Sequence, residues 1–86
     1  MADKYRTVVY TDAFANELAA IEPDAQHADE LMQDVEWVLA KRPGSGMRVE
    51  TSSMFTYAFD ARSGRSLLLY YSFDTDTVYL LSIIAS

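Results

Sequence analysis

His27 is the single histidine of the chain, and Asp24 and Glu30 stand close to it in sequence. An imidazole beside carboxylates can move a proton near neutral pH or ligate a metal. With no cysteine and no second strong ligand, His27 reads as an ordinary surface residue, and no metal site is expected. Glu17, Glu22, Asp29, Glu30, Asp34 and Glu36 could form carboxylate pairs, but glycoside chemistry needs two such groups across a cleft. So small a chain offers no cleft of that kind, and these acids read as the solvated faces of two helices. Arg62 and Arg65 flank Ser63-Gly64. Two guanidinium groups at a hairpin tip can hold a phosphate or an acidic partner, or simply keep a turn soluble. Neither Ser63-Gly64 nor Gly44-Ser45-Gly46 makes a phosphate loop, which would follow a strand and open a helix. Trp37 lies off the apolar stripe of its segment. It either anchors a partner, as aromatics do at interfaces, or borders the core with one edge in water.

These residues must be carried by definite elements. "YRTVVY" (5–10) is β-branched and aromatic, as a first strand requires. Thr11-Asp12 offers an N-cap, and Phe14, Leu18 and Ile21 recur at helical spacing, which predicts a helix over 12–21. Glu22-Pro23 ends it, because a residue before proline avoids the α region. In "DAQHADELMQDVEWVLAKR" (24–42), Ala28, Leu31, Met32, Val35, Val38 and Leu39 form one continuous stripe. Acids come early and Lys41-Arg42 last, as the helix dipole favours, and Pro43-Gly44-Ser45-Gly46 breaks the chain. "MRVE" (47–50) reads as an edge piece, Thr51-Ser52-Ser53 as a turn, "MFTYAFD" (54–60) as a strand and "ARSGR" (61–65) as a glycine-containing turn. Two closing strands surround Asp74-Thr75-Asp76-Thr77. The expected fold is a two-layer α+β domain over 1–86, ordered β-α-α-β-β-β. Two helices pack on one face of a mainly antiparallel four-stranded sheet.

The closing hairpin lacks the apolar–polar alternation of a half-solvated sheet. Strict alternation puts Leu67, Leu69, Tyr71 and Phe73 on one side of its first strand and Leu68 and Tyr70 on the other. It likewise groups Val78, Leu80 and Ile84 against Tyr79, Leu81 and Ile83. Two helices cover one face only. The open face is expected to carry Phe55, Tyr57 and Phe59, or else Leu68 and Tyr70. Either an outside partner covers it, or sheet twist, the first helix and the chain ends wrap it well enough. Phe55, Tyr57, Phe59, Tyr70 and Trp37 are therefore the expected partner-binding residues.

The 86 residues are 50% apolar and 23% charged, the balance of a folded chain. Net charge is −6. Residues 1–42 hold nine acids against four bases, and residues 43–86 four against three. An acidic surface disfavours phosphate backbones, so nucleic acid is expected as a partner only indirectly. The acidity itself serves solubility or a salty habitat. No signal segment or membrane-length apolar run is present, which makes cytoplasm the default, and no cofactor is implied.

The order of elements and several local features resemble the RelE/ParE toxin superfamily of toxin–antitoxin pairs. The likeness rests on "VVYTDAFANEL" (8–18), "VLAKRPGSG" (38–46) and "LLLYYSFDTDTVYLLSI" (67–83), and covers nearly the whole chain. It implies a toxin neutralised by an antitoxin whose segment wraps the helices or lies over the sheet. Ribonuclease members are basic and use Lys, Arg, Tyr or His on the open sheet face. They commonly carry an arginine three residues before the tyrosine of the penultimate strand, where this chain has Leu67 or Leu68. The resemblance leaves Arg48, Arg62 and Arg65, with Tyr70 or Tyr71, as the catalytic candidates. They could meet the phosphate charge and supply an acid, but the sheet holds no evident base. ParE-type members poison gyrase without cutting RNA, which suits an acidic chain. A non-toxic homodimer through the same apolar face is the alternative outside that family role.

Overall fold

A computed structural model describes residues 5–61 and 63–85. The chain runs β1 (Thr7–Tyr10), α1 (Asp12–Ile21), α2 (Ala25–Lys41), a short 3-10 turn (Pro43–Ser45), β2 (Met47–Arg48), β3 (Phe55–Asp60), β4 (Ser66–Phe73) and β5 (Thr77–Ala85). The class is α+β, as expected, but the sheet has five strands rather than four. "MRVE" contributes a true edge strand of two residues, pairing Met47 with Thr56 and Arg48 with Phe55. Such a short strand is paid too little attention by sequence patterning, since two residues show no period.

The strand order is β1-β5-β4-β3-β2, with β1 parallel to β5 and every other pairing antiparallel. The two greasy closing strands are therefore inner strands, flanked on both sides.

Each helix starts where a side chain caps it. Thr11 Oγ1 accepts from Phe14 N at 3.3 Å and donates to the Leu80 carbonyl at 2.8 Å, tying the start of α1 to β5. Asp24 accepts from Gln26 N at 3.0 Å and His27 N at 3.1 Å, capping α2. The His27 amide, then the Gln26 amide and nearby imidazole, hold the Asp24 carboxyl below its usual range. Phe14 and Leu18 of α1 and Ala28, Met32, Val35 and Leu39 of α2 bury against Leu69, Tyr71, Val78, Leu80 and Ile83. Leu31 and Val38 flank the stripe half-buried.

Two findings fix the sheet faces, the register of β3 and a break in the alternation of β5. Phe55, Tyr57 and Phe59 pair opposite Tyr71, Leu69 and Leu67, so all three lie on the helix side and pack against the core while staying half-exposed. They do not belong to the open face. Sequence alone left the choice open, because two strands of alternating apolar residues fit either register. In β5 the register slips, Tyr71 pairing with Leu80 and Tyr70 with Ser82, which leaves Leu81 as an extra residue. This bulge turns Ile83 inward with Val78 and Leu80 and puts Ile84 on the opposite side. The grouping of Ile84 with Val78 and Leu80 is thus reversed.

Candidate functional site

Opposite the helices, pairing brings Val9, Tyr79, Leu68, Tyr70 and Ile84 onto one face with Thr56, Ala58 and Met47. Leu68, Tyr70 and Leu81 are half-buried with no helix over them, because side chains on inner strands shield one another. Val9 (40% exposed), Tyr79 (37%) and Ile84 (45%) meet water directly. Among the described residues, Asp60 is the one charged strand residue on that face, at its β3–β4 end, bonded to Ser66 Oγ at 3.0 Å. Thr7, Ser66, Ser72, Thr77 and Ser82 share that face, which is therefore a mixture of apolar and hydroxyl side chains with its strand charge confined to Asp60.

The strand β5 extends beyond β1, and α1 closes that edge. Glu17 Oε1 accepts from Ser82 Oγ at 2.8 Å and from Ile83 N at 3.3 Å. A carboxylate there occupies a backbone donor that an added strand would otherwise use. Glu17 read as a solvated helix acid in sequence, and nothing in local spacing signals this contact across 66 positions.

The catalytic candidates are scattered. Tyr71 is fully buried, its hydroxyl donating to the Pro43 carbonyl and accepting from Gly46 N at 3.0 Å. Burial pushes its phenol up, against the lowering effect of the Gly46 amide. Tyr70 points to the open face. Arg48 donates from Nε to the Ser52 carbonyl at 2.8 Å and from Nη2 to the Thr51 carbonyl at 3.4 Å, clamping the β2–β3 turn. Arg65 Nη1 donates to the Ile21 carbonyl at 3.3 Å, at the C-terminal end of α1 where a cation is favoured. Arg62 lies outside the described residues. Arg48 is level with Phe55 at one end of β3 and Arg65 lies past Asp60 at the other. Six strand residues span about 17–20 Å. An acid and a base acting on one phosphate must both reach it within hydrogen-bond range, so Arg48 and Arg65 do not share an active centre.

Two depressions flank α2. One, of about 380 Å³, lies between the helices and the β3–β4 hairpin, floored by Leu31 and Leu67 and rimmed by Glu30, Asp34, Asp60 and Arg65. His27 also borders it, its Nδ1 4.0 Å from Glu22 Oε1. No group of three or more His, Cys, Asp or Glu able to hold a metal occurs among the described residues. The other, a shallow groove of about 540 Å³, runs between α2 and the chain leading into β1. Trp37 is 55% exposed there, Tyr5 meets it edge-on at 6.4 Å between ring centres, and Lys41 Nζ stands 5.0 Å from the Trp37 ring centre. Tyr5 read as a strand residue in sequence; the strand begins two residues later and leaves it beside the tryptophan. Tyr10 and Glu36 influence one another nearby. Burial, then the charge of Glu36, raises the Tyr10 phenol far above its usual value. Burial likewise raises the Glu36 carboxyl, against the Tyr10 hydroxyl, which lowers it.

No protein-family model matches the chain, and no curated protein sequence matches it. Its structure is similar to a chain of the toxin–antitoxin complex RelBE2 from Mycobacterium tuberculosis, with a TM-score of 0.68 and 22% identity. The likeness covers 95% of this chain and 92% of that one. At that identity the likeness is one of fold. No helix among the described residues is long and apolar enough to cross a membrane.

Proposed function

We propose that this chain is the toxin-like component of a toxin–antitoxin pair, that it acts by binding a macromolecule, and that an antitoxin neutralises it. The observation that carries the reading is the near full-length structural likeness to a chain of a toxin–antitoxin complex. The broad, sparsely charged sheet face and the half-exposed Phe55, Tyr57 and Phe59 row supply surface for a protein partner. A binding mode is favoured over RNA cleavage because Tyr71, Arg48 and Arg65 are each engaged in holding the fold, and because the chain carries net charge −6. A gyrase-type target accords with that charge, whereas a messenger RNA held on the ribosome calls for cationic surface. The proposed setting is the cytoplasm.

Induction of the chain alone in bacteria, with survivors counted, tests the reading. Growth arrest relieved by a co-expressed neighbouring small reading frame is expected; undiminished growth at full protein level would remove the toxin role. The sparsely charged open face also favours a second reading, a homodimer without toxicity, since two acidic molecules repel least where each carries little charge. Mass in solution across concentration decides it, and a strict monomer excludes it.

A further inference from the structure

On α2, Gln26, Glu30, Gln33, Trp37 and Ala40 all line the shallow groove beside Tyr5 and Val8. Their spacing alternates four and three, which keeps them on one face of the helix. This face flanks the buried stripe of Ala28, Met32, Val35, Leu39 and Ala40, which it meets at Ala40. It extends over 14 steps of helix, about 21 Å. At its Trp37 end the floor is aromatic and aliphatic. Along the rest, Asp29, Glu30 and Glu36 line the groove, and no Lys, Arg or His does.

We propose that this groove seats a basic amphipathic helix of a partner protein, with an apolar residue against Trp37 and Tyr5 and Lys or Arg side chains over Asp29 and Glu30. The inference rests on the pairing with a second protein argued above and specifies that partner's chemistry. The straight face of α2, about 21 Å long, gives a partner helix a full length to lie alongside. Charge selects its sign: an acidic segment would meet three carboxylates, whereas a cationic one is attracted to them. Lys41, its ammonium over the Trp37 ring, stands beside the groove at that end and is outnumbered by the three carboxylates that line it. A large, rigid, half-exposed indole is the type of residue that dominates an interface.

The test is fluorescence anisotropy at about 0.15 M salt, using the purified full chain. The probes are a synthetic 14-residue helical peptide carrying Lys and Leu on one face, and its counterpart with Glu for every Lys. The Lys peptide is expected to bind and the Glu peptide not. Trp37→Ala is expected to weaken binding about tenfold or more, and the double variant Asp29→Asn with Glu30→Gln by about threefold to tenfold. Ser53→Ala, in the exposed turn between β2 and β3, is expected to change nothing. No binding of the Lys peptide, equal binding of the two peptides, or equal binding by wild type and the Trp37→Ala chain would each overturn the proposal. Toxicity plays no part in this readout, so a chain that fails to arrest growth leaves the groove assignment standing, and a failed titration leaves the toxin reading standing.

Discussion

The hydroxyl of Tyr71 donates to the Pro43 carbonyl and accepts from Gly46 N, joining the segment after α2 to the centre of the sheet. Removing it leaves a carbonyl and an amide without that partner. Tyr71→Phe should therefore cost about 1–3 kcal/mol in urea unfolding. A catalytic role would instead predict lost activity at unchanged stability. Gly46 is equally constrained, since a Cβ there would collide with the Thr56 carbonyl and the Tyr71 hydroxyl. Gly46→Ala should destabilise by about 1–3 kcal/mol, read as a lowered urea midpoint. Acid response belongs to this scale too. The amides of Asp76 and Thr77 hold the Asp74 carboxyl below its usual range. A carboxyl depressed on folding contributes stability above its unfolded pKa, lost as pH falls through the folded one. Stability should drop below about pH 4, and Asp74→Asn should flatten that drop in pH-dependent melting. Glu36, raised by burial, acts in the opposite sense, its contribution declining as pH rises through its folded value.

At the level of elements, α2 was legible because its caps, stripe and charge order all agree, and the structure runs it from Ala25 to Lys41. The helix α1 was legible for the same reason, through Thr11 and the Glu22-Pro23 stop. The faces of β4 were legible too, with Leu67, Leu69 and Tyr71 buried and Leu68 and Tyr70 opposite, but those of β5 were not. An extra residue at Leu81 shifts every later side chain of β5 to the other face, and a bulge leaves no mark on composition. Truncation distinguishes the two arrangements. Ile83→Ala should cost about 2–5 kcal/mol and Ile84→Ala about 1 kcal/mol or less by denaturant unfolding. Uninterrupted alternation would give the reverse order. The contacts of Glu17 with Ser82 and Ile83 escaped notice because they join residues remote in sequence, as did the Tyr71 hydroxyl bonds. The exposed Trp37 was visible as an off-stripe aromatic, but its neighbour Tyr5 was not.

For the whole molecule, sheet order explains the greasy closing hairpin: both of its strands are interior, one face is sealed by α1 and α2, and the other is partly self-shielded. That arrangement needs a partner less urgently than the raw pattern of residues suggested, yet Val9, Tyr79 and Ile84 stay in contact with water. Acidity and the dispersal of Arg48, Arg65, Tyr70 and Tyr71 support the proposed binding mode over RNA cleavage. The most direct measurement adds the purified chain to a cell-free translation reaction and maps the ends of the ribosome-bound messenger RNA. The account predicts intact messenger at chain concentrations in excess of ribosomes. New ends appearing with the wild-type chain, and lost with Arg48→Ala, Arg65→Ala or Tyr70→Phe, would contradict it.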